Sequence, residues 1–405
     1  MALYGDISYD SRVLREAATL AADGLEVIVS CLAGEQTADV LPSGVTLQVL
    51  RPTVAQVVPG TPSPFTTPRS KRRFAIAARV AWIRGYSANL RAWGRMVRNA
   101  CGDVDAWHLH DLTGLVAVAP GVHRTVPIVY DAHELFLETG TALHLPGPAR
   151  AALRAYERHL VARAAAVVTV NDALAAVLRA RYRPARIVVV HNCPERWSRS
   201  DEEPDSLRDA AGIDAAVPVV LYHGALSAYR GIEQLMGSLL EPGLDDVHLV
   251  LLGYGELRDR YVAEATDPRW GGRVHVLDPV APPRLLSWVA SADVGAMPIQ
   301  PSTLNHRLST PNKLFECLAA GVPVVASDFP SMRHVVEDDP TGALGVVCDP
   351  TRVDAVAAAI RSLLTLEPSA REALRARCFE AVRTRWNWDV QVEGLVRLYR
   401  DILDR

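Results

Sequence analysis

The chain has 405 residues, 49% of them hydrophobic and 22% charged, with a formal net charge of -3. Such a composition excludes a disordered or collagen-like chain, and the length suits two domains better than a single core. Without a cationic surplus, no nucleic-acid partner is expected.

In chain order, short apolar segments alternate with helical ones. Strands are predicted at Met1 to Gly5, Glu26 to Ser30, Thr46 to Leu50, Ala106 to His110, Ile128 to Asp131, Ala166 to Val170 and Ile187 to His191. Alternation of this kind predicts a parallel, doubly wound sheet. Between the third and fourth strands lies Arg69 to Arg98, which carries nine Lys or Arg residues and no acidic one, interleaved with Phe74, Ile76, Trp82, Ile83, Leu90, Trp93 and Met96. It reads first as a solvated basic face over a buried stripe, and second as a peripheral contact for an anionic membrane surface or a phosphorylated acceptor.

The periodicity lapses between Cys193 and Pro218, with a polar run at Glu195 to Asp205, the best linker candidate. It restarts with strands at Val219 to His223, His248 to Gly253, Val274 to Leu277, Val294 to Met297 and Val322 to Ala326; after Asp354 the chain reads as helices, the last over Val390 to Arg405. The domains expected are therefore 1–193, a linker at 194–217, 218–385, and a final helix at 386–405 returning to the first domain. The six cysteines, at 31, 101, 193, 317, 348 and 378, form no CxxC pair, and Met1 to Ser8 has no signal-peptide pattern. No stretch is apolar for long enough to span a bilayer, so a cytoplasmic location is expected, at most peripheral to the inner membrane face.

Open parallel sheets bind ligands beyond the carboxyl ends of their strands. The clearest such segment is Pro298 to Ala326, PIQPSTLNHRLSTPNKLFECLAAGVPVVA. Its helix is expected to open with Thr310 as cap and Pro311 in the first turn, presenting free amides to a diphosphate. Glu316 then falls in the second turn, a carboxylate suited to both hydroxyls of a ribose, although alone it reads equally as a surface residue.

The stretch KLFECLAAGVPVVASDFP resembles the donor-binding signature of glycosyltransferase family 4, retaining enzymes of the GT-B fold. Further matches run in the family's order along almost the whole chain: DSRVLREAATLAADGLEVIV, HLHDLTGL, YDAHELF, VVTVNDALAAVL, VVVHNCPE, VLYHGALSAYRGIEQLM, LLGYGEL and ADVGAMPIQPS. The resemblance implies an α/β chain of two Rossmann-like domains facing across a cleft, with the C-terminal helix packed back on the first. It implies sugar transfer from a nucleoside-diphosphate sugar with retention, by a front-face route that needs no protein nucleophile.

The resemblance also assigns roles. Arg230, Lys313 and the amides of Asn312 and Lys313 would meet the diphosphate, together with Thr310, Pro311, Gly5 and Gly224. Glu316 would hold the ribose, Gly253, Tyr254, Leu277 and Val280 would border the base, and His133 would lie beside the transferred sugar. His110, Asp111 and Glu134 are acceptor-side candidates, and Asp131 and Glu134 share the His133 loop. The chain departs from the family pattern at Leu308, where a first glutamate commonly stands, and at Ala225, where a second cation does. Those departures put the sugar's identity in question more than nucleotide binding. No Asp-x-Asp pair follows a strand, so no metal and no cofactor beyond the nucleotide sugar is expected. The expected partners are that donor and an acceptor, a glycan, a lipid-linked glycan or a small natural product. The alternatives are an epimerase or hydrolase of nucleotide sugars, or a non-catalytic nucleotide-sugar-binding subunit.

Overall fold

The computed structural model describes all residues except 8–9, 34–42, 53–71, 144, 199–205 and 405. It divides into two compact units, Met1–Val190 with Val392–Arg405, and His191–Gln391. Each is built on a parallel sheet, as the alternating pattern predicts.

In the first unit the strands are β1 (Ala2–Leu3), β2 (Val27–Cys31), β3 (Val45–Val49), β4 (Trp107–His110), β5 (Ile128–Ala132), β6 (Ala166–Thr169) and β7 (Ile187–Val189). Their order is β3-β2-β1-β4-β5-β6-β7. The order reverses between β1 and β4, which makes the loops after those strands the ligand-facing position of a doubly wound sheet. The C-terminal helix Trp388–Ile402 joins this unit from Val392 onward. There Tyr399 hydrogen-bonds His108 at 2.9 Å and Asp401 pairs with Arg186 at 2.7 Å.

Of the basic stretch 69–98, residues 69–71 lie outside the described residues and side chains are described from Trp82 onward. From there the helix Arg72–Cys101 buries Leu90, Trp93 and Val97 and exposes Arg84, Arg91 and Arg95. That is an amphipathic helix packed on its own unit through one stripe. Among the described residues, no helix is long and apolar enough to cross a membrane.

The second unit holds β8 (Val219–Ala225), β9 (His248–Tyr254), β10 (Val274–Leu277), β11 (Val294–Met297), β12 (Val324–Ser327) and β13 (Gly345–Cys348), ordered β10-β9-β8-β11-β12-β13. The switch point lies between β8 and β11. Edge strand β13 was not anticipated. It has four residues, opens on a glycine and pairs Gly345 with Val324. So short a run carries little strand signal of its own, and its pairing is supplied by the neighbour.

Residues 194–217, expected as a linker, include the helix Ser206–Ala211. Leu207 and Ile213 are buried in the second unit's core with Cys193. The arginine that follows anchors this segment: Arg208 bonds Asp293 at 2.8 Å and the carbonyls of Asp214, Val217 and Ser291.

Candidate functional site

At the second unit's switch point, β8 and β9 run so close that glycine is required. Gly224 and Gly253 face each other in register, and a Cβ on Gly253 would lie 1.9 Å from the Gly224 carbonyl oxygen. Gly224 itself has φ 103, a left-handed value that favours glycine. The space above it is filled by Lys313. The ammonium lies 3.5 Å from where a Gly224 Cβ would stand and 3.6 Å above the Tyr222 ring, a cation–π contact. Lys313 is therefore turned inward and half-buried rather than an exposed helical lysine. Burial, with the positive Arg230 adding to it, pushes its pKa down to about 7 against the pull of Glu316.

Lys313 sits in the helix Asn312–Ala319, which begins one residue later than expected. Pro311, with φ -71 and ψ 144, is the N-cap, and no side chain caps the helix. Thr310 is thus not the cap. Proline's fixed φ suits both a helical residue and an extended cap, so ψ, which the surroundings set, decided between them. The amides of Asn312 and Lys313 fall in the first turn, whose N–H groups have no acceptor within a helix.

Glu316 lies one turn on, and the His223 Nε2–H donates to its Oε2 at 2.8 Å. His223 is a site residue the motif reading missed. It is buried near the end of β8, where one more apolar-strand histidine carries no signal until the helix is placed beside it. Arg230 follows in the loop after β8, its Nε donating to Ser227 Oγ at 3.3 Å. The two loops at the switch point are locked together. Tyr229 accepts from the Gln300 amide at 2.9 Å, and a Cβ on Gly231 would meet the Pro298 carbonyl oxygen at 2.0 Å.

Of the base-pocket candidates, Tyr254 is 53% exposed at the end of β9, while Leu277 and Val280 are half-buried against the unit's core. Leu308 ends the short helix Leu304–Leu308, and its carbonyl accepts from Ser331 Oγ at 3.0 Å.

In the first unit the candidates converge on a buried ionic cluster. Asp131, next to last in β5, accepts from Arg12 Nε at 2.9 Å and Nη2 at 3.1 Å, and lies 3.1 Å from His133 Nε2. Arg12 also reaches Glu16, one helical turn on, at 3.0 Å and the Val190 carbonyl at 2.6 Å. His108 and His110 alternate along β4 and so stack on one face, ring centroids 4.5 Å apart. His110 Nδ1 lies 3.3 Å from His133 Nε2, and His108 Nε2 lies 3.4 Å from Glu16.

Burial alone would raise the Asp131 carboxyl, but Arg12, His133 and hydrogen bonds from His108 and His110 hold it well below the usual range. Burial likewise opposes charge on His133, yet Asp111, Asp131 and Asp10 raise it to about 10, an imidazolium at neutral pH. Asp111, at φ 54, accepts from the His133 amide at 3.3 Å. Burial raises Glu16 and lowers both His108 and His110. Glu134 is half-buried in the same loop, and Gly5 has a negative φ with room for a Cβ within its own unit.

Among the described residues, one group has side-chain types and spacing suited to a metal: Glu16, His108, His110 and Asp131. It is fully buried and already neutralised by the Arg12 guanidinium.

Comparison with known proteins identifies the family and agrees with the two-sheet fold. Residues 11–194 match the model of Glycosyltransferase Family 4, and residues 217–366 match that of Glycosyl transferases group 1. The chain is 30% identical over 320 residues to the D-inositol 3-phosphate glycosyltransferase of Acidothermus cellulolyticus, covering 75% of this chain and 68% of that one. To the enzyme of the same name from Xylanimonas cellulosilytica it is 31% identical over 204 residues, 49% of this chain and only 46% of the relative's length. In fold it resembles the Anabaena protein HepE in complex with UDP and glucose, with TM-score 0.69 and 17% identity over 99% of this chain and 98% of that one. The chain belongs to glycosyltransferase family 4, the group 1 glycosyltransferases of GT-B fold.

Proposed function

We propose that the chain transfers a sugar from a nucleoside-diphosphate donor to an acceptor, with retention of configuration and without a metal ion. The observation that carries this reading is the meeting of Gly224, Arg230, Lys313 and the His223–Glu316 pair at one switch point. Glycine lets a phosphate approach the backbone, two cations neutralise it, and a carboxylate held by histidine receives the ribose hydroxyls. The crystallised complex of HepE with UDP and glucose supports the same ligand class.

Departure of the diphosphate develops negative charge on its oxygens, and Arg230, Lys313 and the Asn312 and Lys313 amides stabilise it as it forms. Metal independence rests on those cations, which supply the charge that a divalent ion supplies elsewhere. In the front-face route the leaving phosphate oxygen takes the acceptor's proton, so no protein nucleophile is used. The first unit then provides the acceptor side through Asp111 and Glu134, with the His133 imidazolium serving the transferred sugar, while His110, expected on that side, is wholly buried against Asp131 and orients the cluster from beneath.

Calorimetric titration with UDP, GDP, ADP and TDP in the presence of a chelator tests the reading. One diphosphate is expected to bind tightly with the metal removed; binding by none of them overturns the proposal. The same titration tests Lys313. Because its pKa is down at about 7 in the free protein, the group is mostly neutral at pH 8, and a diphosphate would restore its charge. Binding at pH 8 should therefore take up close to one proton, seen as a dependence of the heat on the buffer's ionisation enthalpy. Affinity should fall as pH rises above 7, and Lys313→Met should abolish the proton uptake.

A further inference from the structure

Lysine is almost absent from this chain. Of its 43 Lys and Arg residues only two are lysines, Lys71 and Lys313, and Lys71 lies outside the described residues. Where a plain cation suffices the chain carries arginine, whose guanidinium stays charged and is a poor nucleophile. Lys313 is the described position that keeps an amine.

That amine stands beside an anion cradle. It lies 3.5 Å from where a Gly224 Cβ would be, over backbone that glycine leaves open, and 3.6 Å above the Tyr222 ring. The charged and titratable groups around it are Arg230 from the loop after β8, Tyr222 on β8, and Glu316 and Cys317 on its own helix. Burial, and then Arg230, hold its pKa at about 7, so above neutrality most of it is free amine, the nucleophilic form. The side chain is half-buried rather than sealed, and a small reagent can reach it.

The surroundings select the reagent. Arg230 and the first-turn amides of Asn312 and Lys313 draw a phosphate to this corner. An acyl carbon joined to that phosphate through one oxygen is then held within reach of the amine, and attack becomes effectively intramolecular.

We propose that Lys313 is a modification site for acyl phosphates, which acylate its side chain and thereby close the donor site. The proposal rests on the phosphate-binding role given above to Arg230 and this helix. In the reaction the Lys313 nitrogen attacks the acyl carbon, an N–C bond forms, and the C–O bond to phosphate breaks. Inorganic phosphate leaves with the bonding pair and takes the proton that the nitrogen sheds. The amide produced carries no charge, so one of the two cations that meet the diphosphate is lost.

The test incubates the protein with acetyl phosphate between about pH 6 and 9.5, beside Nα-acetyl-lysine amide as reference amine, and reads acetylation site by site by mass spectrometry. At about pH 7.5 Lys313 should react about tenfold or more faster than the reference, because far more of it is unprotonated. With acetyl phosphate below saturation the rate follows ionisation of the free protein. It should therefore rise through about pH 7 and level off, while the reference climbs to the end of the range. N-hydroxysuccinimidyl acetate, a neutral reagent, reads the amine without the phosphate, and its preference for Lys313 over the reference should be about tenfold smaller. The acetylated protein should keep its melting transition and bind the preferred nucleoside diphosphate about tenfold or more weakly.

Reaction of Lys313 no faster than the reference, or with equal preference for the two reagents, overturns the acyl-phosphate site while the donor-site reading stands on its own titration. Acetylated protein that binds the diphosphate like wild type overturns the closure. Wild type that binds no diphosphate, yet acetylates Lys313 with the expected preference, overturns the donor-site reading and the closure with it, and the acyl-phosphate site stands.

Discussion

Replacing Glu316 with alanine is expected to weaken binding of the preferred nucleoside diphosphate by about a hundredfold or more. Two hydrogen bonds to an ionised carboxylate are lost, each worth about 1.5–3 kcal/mol. The variant also strands the buried His223 Nε2–H, which donates to Glu316 at 2.8 Å, so some loss of stability will accompany the loss of affinity. Glu316→Gln separates the two effects. Its amide oxygen keeps a partner for His223 and preserves the melting temperature, while the missing charge still weakens the ligand. His223→Ala acts through Glu316 and should cost less, about tenfold. Calorimetry and melting curves on the three variants distinguish these outcomes, and full affinity in Glu316→Ala would remove the ribose from this helix.

The second large effect is expected in the first unit, on stability. Asp131→Asn keeps the shape of the side chain and removes the charge that pairs with Arg12 and His133, leaving a buried guanidinium short of one partner. Breaking a buried ion pair in this way costs about 3–5 kcal/mol. For a unit of this size that is a fall of about 6–20 °C in its melting transition.

The pH dependence has two limbs. Asp131 is held below its unfolded range, so its contribution is present above about pH 4 and is lost as pH falls through its folded value. His108 and His110, pushed down from 6.5, add to the acid limb, because unfolding below that pH releases them to take up protons. His133, raised to about 10, stabilises fully below pH 6.5 and loses that contribution as pH rises through 10. These groups favour a maximum near neutrality, working against Glu16 and Asp111, whose raised carboxyls lose stability as pH climbs above the ordinary carboxylate range. Asp131→Asn should shrink the acid limb and draw the alkaline limb toward neutral pH. Calorimetric melts across pH, with the His133 ring titrated by NMR, measure both limbs; a variant that melts like wild type at every pH would mean the cluster carries no such energy.

Much of this was legible from residue order. Apolar runs bounded by helical segments predicted both parallel sheets, since strands buried on two faces must be nearly continuous in hydrophobic residues. The position of Glu316 in the second turn followed from STPNKLFE, because helical spacing is local. Arg12 and Glu16, four apart, and His108 and His110, two apart, each announced a shared face in hindsight. Nothing in the chain's order joined those two faces to Asp131 and Tyr399.

That joining belongs to tertiary structure alone, as does everything that depends on it. The sequence by itself determined the architecture, the order of the motifs and the residue types at the donor helix, because propensity, periodicity and turn chemistry act over a few residues. Only the fold decided that Lys313 turns inward over Tyr222, that His223 holds Glu316, that Pro311 rather than Thr310 caps the helix, and that four residues from Gly345 complete a sheet. Burial, charge state and pairing are set by groups distant in the chain, and a carboxylate or histidine has no fixed pKa until those neighbours are in place.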